Sequence, residues 1–277
     1  MKKLLLIIYN KVLERLMGFG LIRTKTFIVN SKNIVFHDLG NNNLLKGIAI
    51  NGFESHENET IKLIKKYNWE MDNFFDIGSN IGHYAVIASL YLENVDVVAV
   101  EPFPLNAEYI DKLKVNNNLS FSLVKKAVDS TTGETKDFYF PISKNSSKLP
   151  ASGTLINSFK GSGGVYNDLP FNVVQVETIT LDDLTKDNKG SFLIKIMIND
   201  KDKNDVFNLM SEHGYNGFLI TNAGLVRESR PLTMPRPNRS DRTLWRNHFF
   251  SKNQLMKLKN FQLIIMDIGY KFGFIVV

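Results

Sequence analysis

The sequence holds one run in which residue type and spacing together describe a binding site. Phe75-Asp76-Ile77-Gly78-Ser79-Asn80-Ile81-Gly82-His83-Tyr84 ends a short apolar stretch, turns on two glycines and opens a helix. Gly78 permits a tight turn and lets a ligand approach the backbone, while Gly82 permits close helix–strand packing. The helix N-terminus presents unpaired N–H groups. Roughly 20 residues further on, the apolar run Val95–Val100 ends in Glu101-Pro102, and a carboxylate there can accept both hydroxyls of a ribose. The middle position is Asn80 where a dinucleotide fingerprint has glycine, so a nucleoside ligand without phosphates fits better than a pyrophosphate. S-adenosyl-L-methionine is such a ligand, with its ribose on Glu101, its amino-acid end near Asp76, Gly78 and Asn80, and Gly82 in the same cofactor-binding turn. The competing reading makes Gly78 and Gly82 plain turn glycines and Glu101 a solvated strand end. Strand, turn, helix, strand and acid in one order weigh against it.

A second concentration lies late in the chain. Six of the eight arginines fall in residues 227–246: Arg227, Arg230, Arg236, Arg239, Arg242 and Arg246, offset by Glu228 and Asp241. Pro231, Pro235 and Pro237 stiffen the segment. In a chain whose other basic residues are mostly lysine, this use of arginine matters, because guanidinium suits planar, bidentate contact with phosphate or carboxylate. Two readings stay open: a solvated basic loop, or a clamp on an anionic acceptor formed by Arg227, Arg230, Arg236, Arg239 and Arg242. No dedicated nucleic-acid module accompanies the charge, which disfavours a nucleic-acid partner.

The elements around these residues read as an α/β chain. A length of 277 residues allows one or two domains. Residues 1–70 form an accessory lead-in: an N-terminal helix, short strands around Phe27–Val29, Asn33–Phe36 and Gly47–Ile50, and a helix opened by the polar stretch Glu54–Thr60. Residues 71–277 form the main domain. Phe74–Ile77, Val95–Val100 and Phe121–Val128 alternate with helices Ile81–Leu92 and Asn106–Val115, the pattern of βαβ units in a parallel sheet. Strands follow at Val173–Ile179, Phe192–Ile198 and Gly217–Thr221, with a helix over Lys203–His213. Residues 143–170, rich in Ser, Gly, Asn and Lys, read as a long loop of the kind that serves as a functional lid or a mobile insertion. The apolar C-terminal stretch Phe261–Val277 reads as one or two strands.

Composition excludes some chemistry. The absence of cysteine removes disulfides, thiolate zinc sites and a cysteine nucleophile. The five histidines show no ligand spacing, so no metal site is expected. A net charge of +6 suits anionic partners or a membrane surface. The first apolar run, Leu4–Tyr9, is too short for a membrane span and is followed by Lys11, Glu14 and Arg15. Leu5, Ile8, Val12, Leu16 and Phe19 recur at helical spacing, which leaves residues 1–19 either packed on the domain or lying on an anionic membrane surface. A cytoplasmic location, or one at the inner face of the membrane, is expected.

The ordered set FFDIGSNIGHYAVIA (74–88), VVAVEPFPLNAEYI (97–110), KKAVDSTTGE (125–134) and VETITLDDL (176–184), preceded by GFESHENET (52–60), resembles the FkbM-type S-adenosylmethionine-dependent methyltransferases. The resemblance covers roughly residues 50–200. It implies a Rossmann-like class I methyltransferase fold, mostly parallel with an antiparallel last strand, and methyl transfer to a hydroxyl of a glycan, nucleotide sugar or related small molecule. It also implies that Glu54, Pro102 and Ala127 join the cofactor set, Ala127 and Val128 near the adenine, and that Asp182 and Asp183 form a structural turn.

The chain departs from that family after Leu193–Ile196. Met197, Asn199 and Asp200 stand where the family has the aspartate, glutamate and glycine of an Asp-hydrophobic-Glu-Gly motif. A shortened strand–helix unit accounts for this, as does a diverged stretch. A hydroxyl acceptor benefits from a general base, and the candidates are His83, Asp200 and His248, with Glu228 behind them. His83 reads equally as a ring packed against the cofactor. Loss of the acidic motif keeps two alternatives open: a methyltransferase-like binding protein without turnover, and an RNA methyltransferase.

Overall fold

The computed structural model describes residues 2–66, 71–141, 149–150, 153–155, 171–188, 192–197, 203–221, 224–228, 248–251 and 262–266. It begins with α1 (Lys2–Gly18) and an antiparallel hairpin of β1 (Lys25–Val29) and β2 (Lys32–Phe36). Asn30 and Ser31 link the two strands with φ of 45° and 63°. Two left-handed residues in a two-residue loop match the right-handed twist of a hairpin. A 3-10 turn (Leu39–Asn41) leads into α2 (Asn43–Asn51) and then α3 (Asn58–Lys66).

The strand expected at Gly47–Ile50 is therefore the second half of α2. Asn42 starts that helix by accepting hydrogen bonds from the amides of Leu44 (2.7 Å) and Leu45 (3.3 Å). Leu45, Ile48 and Ala49 then fall on one buried face. The i, i+3, i+4 spacing of a helix outweighs the short apolar run that reads locally as a strand.

Next come β3 (Asn73–Ile77), α4 (His83–Tyr91), β4 (Asp96–Val100), α5 (Pro104–Asn116), β5 (Ser122–Val124), β6 (Ala127–Val128), β7 (Thr135–Pro141), β8 (Phe171–Ile179), α6 (Leu181–Thr185), β9 (Phe192–Met197), α7 (Lys203–Glu212), β10 (Asn216–Thr221), β11 (Gly224–Glu228), β12 (His248–Ser251) and β13 (Gln262–Met266). The principal sheet runs β11-β10-β12-β13-β9-β3-β4-β5. From β13 through β9, β3 and β4 to β5 every pairing is parallel. The pairings of β12 with β13, β10 with β12 and β11 with β10 are antiparallel. The chain is thus a mixed α/β protein.

Two expectations about strands are corrected. The single strand expected over Phe121–Val128 divides at Lys125 and Lys126: β5 stays in the principal sheet, while β6 joins the separate sheet β6-β8-β7. An antiparallel last strand is expected; β13, the last of the described strands, pairs parallel with β9 and antiparallel with β12. β9 needs a partner on the edge away from β3, and β13 supplies it. The reversed strands are β12 and β11 instead.

Alternate residues of the central strands feed two cores. Phe74, Val97 and Ala99 pack on one face with α4, α5 and lead-in residues including Ile34, Phe36, Leu45 and Ile61. Phe75, Ile77, Val98 and Val100 pack on the other with Ile194, Phe207 and Met210. Burial of both faces is why these strands are continuous apolar runs. Among the described residues, no helix is long and apolar enough to cross a membrane.

Candidate functional site

The site forms where β3 and β4 end side by side. Between β3 and α4 the chain winds through three left-handed residues, Gly78 (φ 73°), Asn80 (φ 54°) and Gly82 (φ 76°). Glycine meets no steric penalty there, and asparagine little. The turn is pinned to β4: the amides of Gly78 and Ser79 both donate to the Val100 carbonyl, at 2.9 and 3.0 Å. The Ser79 hydroxyl donates to the Asp76 carbonyl (2.5 Å) and accepts from the Val100 amide (3.0 Å).

This pinning sets Glu101 directly beside the turn. One carboxylate oxygen, Oε2, accepts from the Asn80 amide (2.7 Å). The other, Oε1, accepts from the Phe103 amide (3.0 Å) and the Asn106 side-chain amide (3.5 Å). The side chain is 5% exposed, so it is not a solvated strand end. Burial pushes its pKa from 4.5 up to about 7, against the pull of the three N–H donors. Asp76 is fully buried below the turn and accepts from the Ala85 amide (3.2 Å), tying the end of β3 to the first turn of α4.

The two glycines have different surroundings. A Cβ on Gly82 would lie 3.2 Å from Ile110 Cγ1, so this position lets α4 approach α5. A Cβ on Gly78 would meet nothing within 4 Å among the described residues, so its requirement is the backbone angle.

A short segment lies over this arrangement. The Pro150 carbonyl accepts from the side-chain amides of Asn80 and Asn106, both at 3.3 Å. The Leu149 carbonyl accepts from Asn42 Nδ2 (3.2 Å), and the Leu149 amide donates to the Asn41 carbonyl (3.0 Å). Asn42 Nδ2 also donates to Asn80 Oδ1 (3.1 Å). The lead-in is thereby tied to the glycine turn. Asn106 Oδ1 is buried and has no hydrogen-bond partner among the described residues.

The structure brings Asp76, Gly78, Asn80, Gly82 and Glu101 together, with Pro102 buried immediately after the acid. Ala127, fully buried in β6, packs in one cluster with Phe103. Glu54 is engaged elsewhere, by Lys65 Nζ (2.7 Å) and the Tyr91 hydroxyl (2.9 Å). His83 is buried at the start of α4, and its Nε2 lies 2.7 Å from the Phe53 carbonyl, a group that can only accept. Its ring stands edge-on to Phe53, with centroids 5.0 Å apart. The neighbouring Tyr84 hydroxyl donates to Glu57 Oε2 (2.7 Å), and burial followed by that carboxylate raises the phenol well above its ordinary pKa.

Arg227 in β11 is paired with Phe218 of β10, and His248 in β12 with Leu219 of β10, which puts the two on strands either side of β10. Asp200, Arg230, Arg236, Arg239, Arg242 and Arg246 lie outside the described residues. Sequence reasoning missed Ser79, Asn106 and Asn42. Ser79 stands inside the glycine run, and Asn106 falls in the first turn of the helix that follows Glu101, so position alone could have marked those two. A cavity of about 290 Å³ lies elsewhere, between the lead-in and α5, lined by Arg23, His37, Asp38, Tyr109 and Lys112 among others. None of the groups around Glu101 lines it.

No family model matches the chain, and no curated protein matches it. A solved structure from Pyrococcus horikoshii, provisionally described as a transferase, is similar over 74% of this chain and 69% of that one, with a TM-score of 0.31 and 10% sequence identity. A similarity of that size leaves fold and function to be argued from this chain alone.

Proposed function

We propose that the chain is an S-adenosyl-L-methionine-dependent O-methyltransferase with a Rossmann-like class I methyltransferase fold. The observation that carries the reading is Glu101, buried at the carboxyl end of β4 and hydrogen-bonded to the Asn80 amide in the glycine turn after β3. Open α/β sheets bind ligands in such a place. The residues present fit a nucleoside. A carboxylate offers about four acceptor positions, and the three donors on Glu101 leave room for a hydroxyl. Asn106 Oδ1 adds an unfilled acceptor beside it. Asp76 and the turn backbone face the amino-acid end in this reading, and Pro102 and Ala127 border the base.

When bound, the cofactor supplies a methyl group on a sulfonium, an electrophile that needs alignment with the acceptor oxygen. The chain's part is to hold both in line and keep water out. Ligand access to Glu101 requires Leu149–Pro150 to leave Asn80 and Asn106. His83, with Nε2 committed to Phe53, holds the lead-in against α4, and Asp200 and His248 stay as the candidate bases for a hydroxyl acceptor. The arginine segment favours an anionic acceptor such as a nucleotide sugar or a phosphorylated glycan.

Calorimetry with S-adenosylhomocysteine tests the cofactor: Glu101→Ala and Gly78→Val should each abolish binding, and ordinary affinity in both variants overturns the assignment. A second reading, a binding protein without turnover, is favoured by Met197, Asn199 and Asp200 in place of the acidic motif. Transfer of labelled methyl from the cofactor to any glycan acceptor rejects it.

A further inference from the structure

After Lys2 and Lys3, α1 runs through six consecutive apolar residues, Leu4–Tyr9, none of which joins a core among the described residues. Leu4, Leu5, Leu6, Ile7, Ile8 and Tyr9 are each between 47% and 62% exposed. At about 100° per residue, six successive positions go round the whole helix. Attachment to the body comes later, through buried Met17 and partly buried Leu13. There the contact is intimate: a Cβ on Gly40 would lie 2.2 Å from the Met17 carbonyl oxygen. Beyond the helix, Phe19 and Leu21 are more than 70% exposed, and so is Ile28 in the hairpin. Exposed apolar groups in this number mark an interaction surface.

Charge identifies what it meets. Residues 1–25 carry Lys2, Lys3, Lys11, Arg15, Arg23 and Lys25 against the single acid Glu14. We infer that α1 and the adjoining hairpin dock this protein on an anionic lipid bilayer, with the Leu4–Tyr9 turns entering the headgroup–acyl boundary and the basic residues meeting lipid phosphates. A second copy of the chain fits less well. A helix–helix seam covers a narrow stripe with two apolar positions in seven, and it would bring two clusters of like charge together. A bilayer takes an apolar tip from all sides at once and attracts the basic flank. The helix is too short to cross, so the contact is superficial.

Flotation of the full chain with phosphatidylcholine vesicles, with and without phosphatidylglycerol, tests this. Association with the anionic vesicles should exceed that with neutral ones by about tenfold or more and should fall with added salt. Leu5→Glu with Ile8→Glu should reduce it by at least about tenfold. Lys11→Gln with Arg15→Gln should reduce it without touching the apolar residues. All four positions are exposed or only lightly packed, and circular dichroism checks that both variants stay folded. The inference is overturned if the chain ignores anionic vesicles, binds neutral ones equally, or is unaffected by both pairs of substitutions. It is also overturned if the chain dimerises without lipid and the glutamate pair dissolves the dimer, because a second copy is then the occupant.

Discussion

Glu101 holds its proton in the folded chain up to a pH of about 7, against 4.5 for an ordinary glutamate. Between those values the folded chain binds more protons than the unfolded one, so this group's contribution to stability is complete below about 4.5 and is lost as pH rises through about 7. The full span corresponds to about 3 kcal/mol. Urea melts of wild type and Glu101→Gln over that range should show the variant's pH slope flattened; an unchanged slope removes Glu101 as its source. The two glycines should separate as well. Gly78→Ala costs roughly 1 kcal/mol from its left-handed backbone alone. Gly82→Ala costs about 2–3 kcal/mol, because its methyl group also meets Ile110. Equal losses in denaturant melts would contradict that distinction. At this scale the sequence shows the acid and the turn, since both are fixed by local order. It does not show Ser79 or Asn106 as partners, because their bonds exist only once the turn is wound and α5 has brought its first residues over Glu101.

Among the elements, α2 depends on Asn42, which caps it and also holds Asn80 and Leu149. Asn42→Ala should lower stability by about 2 kcal/mol, more than cap loss typically costs. A double-mutant cycle with Asn80→Ala should show the two coupled, and simple additivity would refute the Asn42–Asn80 contact. The parallel strands β3 and β4 are legible in the sequence because burial on both faces leaves an unbroken apolar run. The far edge of the sheet is not legible. Consecutive strands joined by a helix usually lie together, yet β13 and β12 stand between β9 and β10. That arrangement depends on pairings between distant segments, which no local pattern encodes.

For the molecule as a whole, the lead-in and the sheet share one continuous core running from Ile34 and Phe36 to Phe74 and Ala85. His83 is a joint in that core. Its replacement by Phe should keep the ring packing but lose the bond to the Phe53 carbonyl, lowering stability by about 1–3 kcal/mol in thermal melts. S-adenosylhomocysteine affinity should be unchanged if the ring does not touch the cofactor. Removal of residues 1–9 should leave the melting midpoint where it is, since the described side chains there are at most lightly packed. A lowered midpoint would show that the tip of α1 supports the fold.

Among the described residues, the segment over Glu101 is held by the buried Leu149 side chain and by hydrogen bonds between amide and carbonyl groups of Asn42, Asn80, Asn106 and the backbone of Asn41 and Leu149–Pro150. No ion pair is among these bonds. Its opening should therefore be indifferent to ionic strength, and ligand capture becomes a gated event. In stopped-flow mixing, the observed binding rate should rise with ligand and then level off at the opening rate, the same plateau at low and high salt. A rate that climbs linearly without limit would mean that the gate does not govern entry.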